Sequence, residues 1–235
     1  MTEAEWRAYD TSAEMADAVA DEIGYLIECA LEARDEAFIA LPGGKTPIPI
    51  FERLAAKEVD WNRVTIIPTD DRVVPITNPL SNAATIAHHF LPKGAHVLSI
   101  VAKETADYHT AGEAANAQLA DLKWPPDLVW LGVGTDGHTA SIFQGPDLEE
   151  AIEGPKRRRA IGVMPDPLPP EAPVPRVTLS RAAILSARMV MLTLTGSDKR
   201  AVVERALRDG PSSEVPIGRV LADARGPVEI HWSAT

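Results

Sequence analysis

Short apolar runs alternate with amphipathic stretches along most of the chain, and this alternation limits the possible folds more than any other feature. Apolar runs bounded by turn residues predict strands, and apolar residues spaced three and four apart predict helices. The predicted strands cover residues 36–41, 63–68, 96–100, 127–133, 176–179, 188–195 and 228–232. The predicted helices cover residues 12–27, 47–54, 82–90, 104–122 and 197–208. We therefore expect one α/β domain over residues 1–235, a modified Rossmann-like fold with a mainly parallel sheet and helices on both faces.

The stretch from Pro146 to Pro175 interrupts this rhythm. It holds eight of the twenty prolines, together with a basic run at residues 156–159. Proline lacks the N–H group that a strand ladder needs, and it ends helices. We therefore expect a loop in this region, with at most a short strand around Ile161.

Composition excludes several functions. The 235 residues include 23 Lys and Arg against 34 Asp and Glu, which gives a formal net charge of −11. Extended nucleic-acid binding depends on neutralising phosphates, so this charge argues against it. The sequence contains no uncharged apolar run long enough to predict a membrane span, and its N-terminus lacks the features of a signal peptide. The single cysteine, Cys29, cannot form an internal disulfide, and it follows the apolar pattern of the first helix, so we interpret it as a core residue. The sequence predicts a cytoplasmic protein.

In parallel α/β sheets, ligands bind beyond the carboxyl ends of the strands, so the turns after the predicted strands are the candidates for chemistry. The first turn runs from Pro42 through Gly43, Gly44 and Lys45 to Thr46, which is predicted to cap the next helix. Two glycines before a helix N-terminus let backbone N–H groups approach an anion. The spacing of a Walker A loop is absent, and a plain tight turn is the alternative.

The second turn contains Asp70, Asp71 and Arg72. Arginine beyond a strand can hold a phosphate through two parallel hydrogen bonds, and a neighbouring carboxylate can orient it or bind a hydroxyl. A solvated, charged loop is the alternative interpretation.

The third turn, at residues 132–138, reads GVGTDGH and matches the G-x-G-x-x-G pattern of dinucleotide sites. Pro146 and Pro155 interrupt the helix that such a site requires, so we disfavour nicotinamide binding. His138 stands before a predicted Thr-Ala-Ser helix start. An imidazole can accept a proton from water at cytosolic pH, and Asp136 is a candidate to orient His138. A structural histidine is the alternative.

The fourth turn leads from Gly196 to Lys199 in the first turn of a predicted helix. A lysine there opposes the helix dipole, so it has little structural purpose and suits a phosphate-bearing substrate. Arg176 is a further candidate cation, with an exposed strand-edge arginine as the alternative. No set of cysteines and histidines has the spacing of metal ligands.

Taken together, these turns resemble the 6-phosphogluconolactonase family. The resemblance spans most of the chain in the family's order, and the DGHTAS segment is its most specific part. The family motifs are matched by the glycine turn Pro42 to Pro47, the Asp70-Asp71-Arg72 loop with Val74, Pro75, Ser81 and Asn82, the segment Gly132 to Phe143, the strand start at Arg176 and the helix start Gly196 to Lys199. The departures are Asp71 for a glutamate, Lys45, Ile142 for a leucine and Gln144 for a proline.

The resemblance implies hydrolysis of 6-phospho-D-glucono-1,5-lactone, with His138 as general base and no metal or organic cofactor. It implies catalytic support from Asp136 and Asp70, which would orient His138, the cations or the substrate hydroxyls. The residues that it implies for substrate and phosphate binding are Gly43, Gly44, Thr46, Arg72, Arg176 and Lys199. The expected partner is this small sugar-phosphate lactone, with no nucleic acid or membrane, and the expected state is a monomer.

Two alternatives stay open. Glucosamine-6-phosphate deaminases have a related fold, but they carry a glutamate five residues after the histidine, where this chain has Phe143, and typically a tyrosine at the position of Arg72. A non-catalytic sugar-phosphate sensor would need the cations without a general base.

Overall fold

The computed structural model describes residues 4–101 and 107–235. The strands are β1 Glu5–Tyr9, β2 Ala37–Leu41, β3 Val64–Pro68, β4 Asp70–Arg72, β5 His96–Val97, β6 Leu128–Gly132, β7 Ala160–Val163, β8 Arg176–Leu179, β9 Met189–Thr195 and β10 Val228–Ser233. The helices are α1 Ser12–Arg34, α2 Ile48–Ala55, α3 Asn82–Phe90, α4 Tyr108–Ala120, α5 Leu148–Glu153, α6 Arg181–Ser186, α7 Ser197–Asp209 and α8 Pro216–Leu221. None of these helices is long and apolar enough to cross a bilayer.

Seven strands form one sheet in the order β1-β10-β9-β6-β2-β3-β5. All pairings in this sheet are parallel within the described residues. From β2 the chain builds outward through β3 and β5, then crosses back to β6 and builds outward the other way. The topological switch point therefore lies between β2 and β6, and the expected α/β class with a mainly parallel sheet is confirmed.

Buried residues on the two faces of the sheet belong to two hydrophobic clusters. Ile39 and Leu41 of β2 pack on one face, and Phe38 and Ala40 of the same strand pack on the other. Helices α1, α2 and α3 cover the first face, whereas the buried residues of α4 to α8 belong to the cluster of the second. Because both faces are covered, the strands β9, β6, β2 and β3 consist mostly of apolar residues, which is why they stand out in the sequence.

A second sheet lies beyond the carboxyl end of β3 and has the order β4-β8-β7, with antiparallel pairings. The short strand around Ile161 is confirmed as β7, and the strand predicted at residues 176–179 is β8 of this sheet. The prediction of a plain loop over residues 146–175 is wrong at α5, where Leu148, Ala151 and Ile152 are buried. The sequence assigns Asp70, Asp71 and Arg72 to a turn after β3, because three residues are too few to show the period of a strand, but they form strand β4.

Other departures have local causes. Strand β1 was not predicted, because its face toward α1 is polar, and α6 and α8 are only six residues long. The predicted start of α4 at Glu104 lies outside the described residues. Cys29 is exposed rather than buried, because α1 directs its neighbours Ile27 and Ala30 toward the core and turns position 29 away from it.

Strands β1 and β10 present a polar face to α1. The hydroxyl of Tyr9 lies 2.9 Å from Nδ1 of His231, and Arg7 forms ion pairs with Glu22 and Glu229. Burial lowers the pKa of His231 to about 4, and burial raises the pKa of Glu229 above its ordinary value. His231 is therefore neutral at neutral pH.

Helix α4 and strand β7 approach closely because glycine occupies the contact on both sides. A Cβ atom on Gly112 would lie 1.9 Å from the backbone nitrogen of Gly162. We predict that Gly112→Ala destabilises the protein by about 1–3 kcal/mol or more, since the helix must move off the strand. Chemical denaturation measures this change.

The matched control is Gly226→Ala, where the nearest atom to an added Cβ is 3.6 Å away, an ordinary van der Waals contact. Equal stability of the two alanine variants would contradict the close approach of α4 and β7.

Candidate active site

The four turns singled out in the sequence follow four adjacent strands. In the sheet order β9-β6-β2-β3, they begin at Gly196, Val133, Pro42 and Thr69. Neighbouring strands are about 4.8 Å apart, so parallel pairing gathers the turns along one edge of the sheet. The turns after β2 and β6 flank the switch point, where a crevice opens in folds of this kind.

The glycine turn after β2 packs against the loop after β3. A Cβ on Gly43 would overlap the side chain of Asn82, at 1.9 Å from its Oδ1. Gly44 has φ +92° and open space around its Cα, a conformation that side-chain-bearing residues rarely adopt. The N–H groups of Gly43 and Gly44 donate to no described residue, so they are available to an anion.

Thr46 does not cap α2 as predicted. The helix begins at Ile48 after Pro47, with no side-chain cap, and Thr46 is exposed. Proline takes the N-cap position because its fixed φ suits the entry to the helix. The Thr46 hydroxyl is thus on the surface of the glycine turn and free of helix capping.

Arg72 and Arg176 face each other across β4 and β8 as directly paired residues. The Nη1 atom of Arg72 donates to the Leu80 carbonyl at 2.9 Å and to Asn82 Oδ1 at 2.6 Å, while its Nε is buried without a partner in the described part of the chain. Asn82 therefore connects Arg72 to the glycine turn.

Arg176 is only 3% exposed, so the alternative of an exposed strand-edge residue is wrong. It donates to the carbonyls of Ala172 and Val174 at 3.0 and 3.2 Å. Burial, together with the neighbouring charge of Arg72, lowers the pKa of Arg176, although an arginine remains protonated. Two guanidinium groups held this close repel each other, and an anion between them would remove that repulsion.

The two neighbouring aspartates have different environments. Both are buried, which excludes the solvated loop that was the alternative for this turn. Asp71 accepts hydrogen bonds from the backbone of Arg72, Asn82 and Ala83 and from the hydroxyl of Ser81, so it holds the N-terminus of α3. Burial raises the pKa of Asp71, although the backbone donors favour its ionised form. Asp71 is thus a structural residue.

Asp70 holds the segment after β6 in place. Its Oδ2 accepts from the hydroxyl of Ser141 at 2.6 Å, and its Oδ1 accepts from Thr69 at 3.2 Å. The Ser141 N–H donates to Thr178 of β8 at 3.2 Å. The small sheet therefore clamps the DGHTAS segment at Ser141, a residue that the motif contained but to which no role had been assigned.

His138 and Asp136 form a hydrogen-bonded pair. The Nδ1 atom of His138 lies 2.6 Å from Asp136 Oδ1, and this contact lowers the pKa of Asp136. The side chain of His138 is 32% exposed, and its Nε2 has no partner among the described residues. With Nδ1 bound to a carboxylate, Nε2 is the nitrogen that can accept a proton from outside.

Backbone geometry makes room for this pair. A Cβ on Gly134 would lie 2.3 Å from His138 Nδ1 and 2.4 Å from Asp136 Oδ1, so only glycine fits there. The predicted Thr-Ala-Ser helix does not form, because Ala140 has φ +48° and the chain turns back on itself at Thr139. A non-glycine residue in the left-handed region costs on the order of 1 kcal/mol, a strain that is typical of functional turns.

Phe143 stacks on His138, with ring centroids 4.2 Å apart and an interplanar angle of 25°. The same ring lies 6.0 Å from the guanidinium carbon of Arg176. Phe143 therefore connects the histidine turn with the arginine pair. The sequence identifies this residue as the end of the matched segment Gly132 to Phe143 and as a difference from the deaminases, but it does not predict the contact with His138.

Lys199 lies in the first turn of α7, after Gly196 with φ +91°, as the sequence predicted. It is half-buried and makes no hydrogen bond or ion pair within the described ranges. Because β9 and β6 are adjacent, Lys199 follows the strand next to the one that leads to His138. No group of three potential metal ligands lies at this edge in the described part of the chain.

Comparisons with known proteins agree with this geometry. Residues 10–232 match the family model described as glucosamine-6-phosphate isomerases/6-phosphogluconolactonase. A 6-phosphogluconolactonase of Rhizobium meliloti (strain 1021) is 36% identical over 96% of this chain and 97% of its own length.

Solved structures give the same result. A crystal structure of a 6-phosphogluconolactonase from Shewanella baltica OS155 has a TM-score of 0.89 at 31% identity, covering 99% of both chains. A monomeric glucosamine-6-phosphate deaminase has a TM-score of 0.77 at 16% identity over 97% of both chains, which is a likeness of fold alone. The chain belongs to the glucosamine-6-phosphate isomerase/6-phosphogluconolactonase family.

Proposed function

We propose that this protein hydrolyses 6-phospho-D-glucono-1,5-lactone to 6-phospho-D-gluconate, with His138 as the general base. The observation that carries the proposal is the Asp136–His138 pair, in which Nδ1 is bound to the carboxylate and Nε2 is left without a described partner. The full-length identity of 36% to a curated 6-phosphogluconolactonase supports the choice of substrate.

In the proposed reaction, Nε2 of His138 takes a proton from a water molecule whose oxygen attacks the lactone carbonyl carbon. The carbonyl oxygen becomes an oxyanion, which the N–H groups of Gly43 or Gly44 can stabilise. Collapse of this intermediate breaks the bond to the ring oxygen, which receives the proton from the imidazolium. The products are a free hydroxyl and a carboxylic acid, which ionises at neutral pH.

Asp136 supports both protonation states of His138. Its carboxylate fixes Nδ1 as the protonated nitrogen and stabilises the imidazolium that forms during the reaction. Asp70 acts indirectly, because it binds Ser141 and so holds the turn that carries His138. We therefore assign Asp70 a positioning role.

The cations bind the substrate phosphate in this proposal. Arg72 and Arg176 offer a preformed pair whose mutual repulsion an anion relieves. Lys199 supplies a further charge from the turn after β9, three strands away from β3 in the sheet order. Thr46 and the glycine turn lie at the same edge of the sheet. These local cations explain how a chain with a net charge of −11 can bind an anion.

Phe143 distinguishes this proposal from deaminase chemistry. The family's deaminases need a carboxylate at that position, whereas here an aromatic ring stacks on the histidine and excludes a second acid. We also propose a monomeric, single-domain, cytoplasmic enzyme that requires no metal or organic cofactor for this reaction. Ammonia release from glucosamine 6-phosphate would contradict the proposed chemistry.

The first prediction concerns His138. We expect His138→Ala to lower the rate of lactone hydrolysis above its spontaneous rate by about 10²- to 10⁴-fold, the usual contribution of a general base. His88→Ala, at an exposed histidine of α3, is the control and should keep the full rate. Wild-type activity in His138→Ala would refute the base assignment, and a wild type that leaves the spontaneous rate unchanged would indicate a sensor.

The second prediction concerns Asp136. An asparagine at this position can present its amide N–H to Nδ1 of His138 and so favour the wrong tautomer of the ring, and we expect Asp136→Asn to lower kcat by about 10²-fold or more. Steady-state kinetics on the phosphorylated lactone measure this change, with the exposed Asp121→Asn as control. An unchanged kcat would mean that the pair does not orient the base.

The third prediction separates phosphate binding from catalysis. We expect Arg72→Ala and Lys199→Ala each to lower kcat/KM for the phosphorylated lactone by about 10- to 100-fold, mainly through KM, as for a lost hydrogen bond to a charged group. Hydrolysis of unphosphorylated D-glucono-1,5-lactone should be far less affected in Lys199→Ala. Lys93→Ala, at an exposed lysine, is the control. Equal losses on both lactones would place the lysine elsewhere in the reaction.

A further inference from the structure

A second cluster of ionisable side chains lies on β1 and β10, at the opposite end of the large sheet from β3. The parallel pairing of β1 with β10 aligns Glu5 with Glu229 and Arg7 with His231. Alternate residues of a strand share a face, so these side chains point together toward α1. Glu22 of α1 completes the cluster through its ion pair with Arg7.

Buried polar atoms without a hydrogen bond concentrate on this face. In the described ranges, five buried side-chain nitrogen or oxygen atoms lack a hydrogen bond, and three of them belong to β10. They are Glu229 Oε2, which has an ion pair with Arg7 at 3.3 Å, His231 Nε2 and Ser233 Oγ. A fully buried imidazole nitrogen without a hydrogen bond is costly and calls for an explanation such as an ion.

The geometry brings three potential metal ligands together. His231 Nε2 lies 3.5 Å from Glu229 Oε2, and one ligand atom from each of Glu22, Glu229 and His231 lies within 4.8 Å of the others. His231 is fully buried, and its Nδ1 is held by Tyr9 at 2.9 Å. A metal-binding histidine is commonly fixed in this way, through its second nitrogen.

The charges also favour a cation. Glu5, Glu22 and Glu229 surround the single guanidinium of Arg7, which leaves two negative charges uncompensated among these groups. Arg7 is 36% exposed and already contacts Glu5 at the outer side, so it can turn toward solvent when an ion enters. A divalent ion would balance the remaining charge.

We propose that Glu22, Glu229 and His231 form a binding site for a divalent metal ion of the zinc type. One imidazole nitrogen and two carboxylates are a donor set that zinc accepts in a tetrahedral site with a water as the fourth ligand. Magnesium prefers oxygen ligands and suits this set less well. The site joins α1 to β10, and it lies apart from the turn that carries His138.

The experiment is a titration of the full-length protein, stripped with EDTA and dialysed, with ZnCl2 in a calorimeter. We expect one zinc per chain and a rise in Tm of about 5 °C or more at a zinc concentration 100-fold above Kd. MgCl2 should give a weaker effect. Elemental analysis after gel filtration checks the stoichiometry.

Four variants make the test specific. Glu22→Gln should weaken zinc binding at least tenfold, and it remains informative if the buried change His231→Gln prevents folding. Glu28→Gln, an exposed glutamate of the same helix, should bind as wild type. His138→Ala should also bind as wild type, which excludes the Asp136–His138 pair as the zinc site. No stoichiometric binding by the wild type, or equal binding by Glu22→Gln, would overturn the proposal.

Discussion

Parallel pairing of β6 with β2 places the turns that follow these two strands side by side, at the edge of the sheet where the candidate active site lies. These two strands are distant in sequence, and their carboxyl ends lead into the histidine turn and the glycine turn. On either side of this pair, the strands are added in opposite directions along the sheet. The crossover connections therefore leave in opposite directions and cover neither turn. If this pairing were lost, Gly43 and His138 would have no common edge.

The small antiparallel sheet adds charged and polar side chains at that edge of the parallel sheet. Strands β4 and β8 hold the arginine pair, and their residues Asp70 and Thr178 both bond to Ser141. The arginine pair and the turn that carries His138 are therefore built on one support, as the proposed reaction requires for positioning a water molecule against the carbonyl carbon. The helices contribute mainly the burial that keeps this support in place.

Sequence patterns predict the inner strands and the four turns, because strands buried on both faces are nearly continuous in apolar residues. They do not predict which turns become neighbours, since strand order depends on tertiary pairing. They also treat Asp70 and Asp71 as one acidic pair, whereas burial against different partners gives each a separate task. The burial of Arg176 is likewise invisible in a segment rich in proline. In the Glu22–Glu229–His231 cluster, Glu22 lies 207 positions before Glu229 and 209 before His231, so no local spacing reveals the cluster.

The facing guanidinium groups of Arg72 and Arg176 have a consequence for the evolution of this chain. Like charges on paired residues oppose the pairing of the strands that carry them, and the neighbouring carboxylates of Asp70 and Asp71 act in the other direction. Selection for stability alone would replace one arginine with an apolar residue. Under the proposed phosphate binding, the presence of both arginines on β4 and β8 reflects demand for an anionic ligand rather than demand for a stable fold.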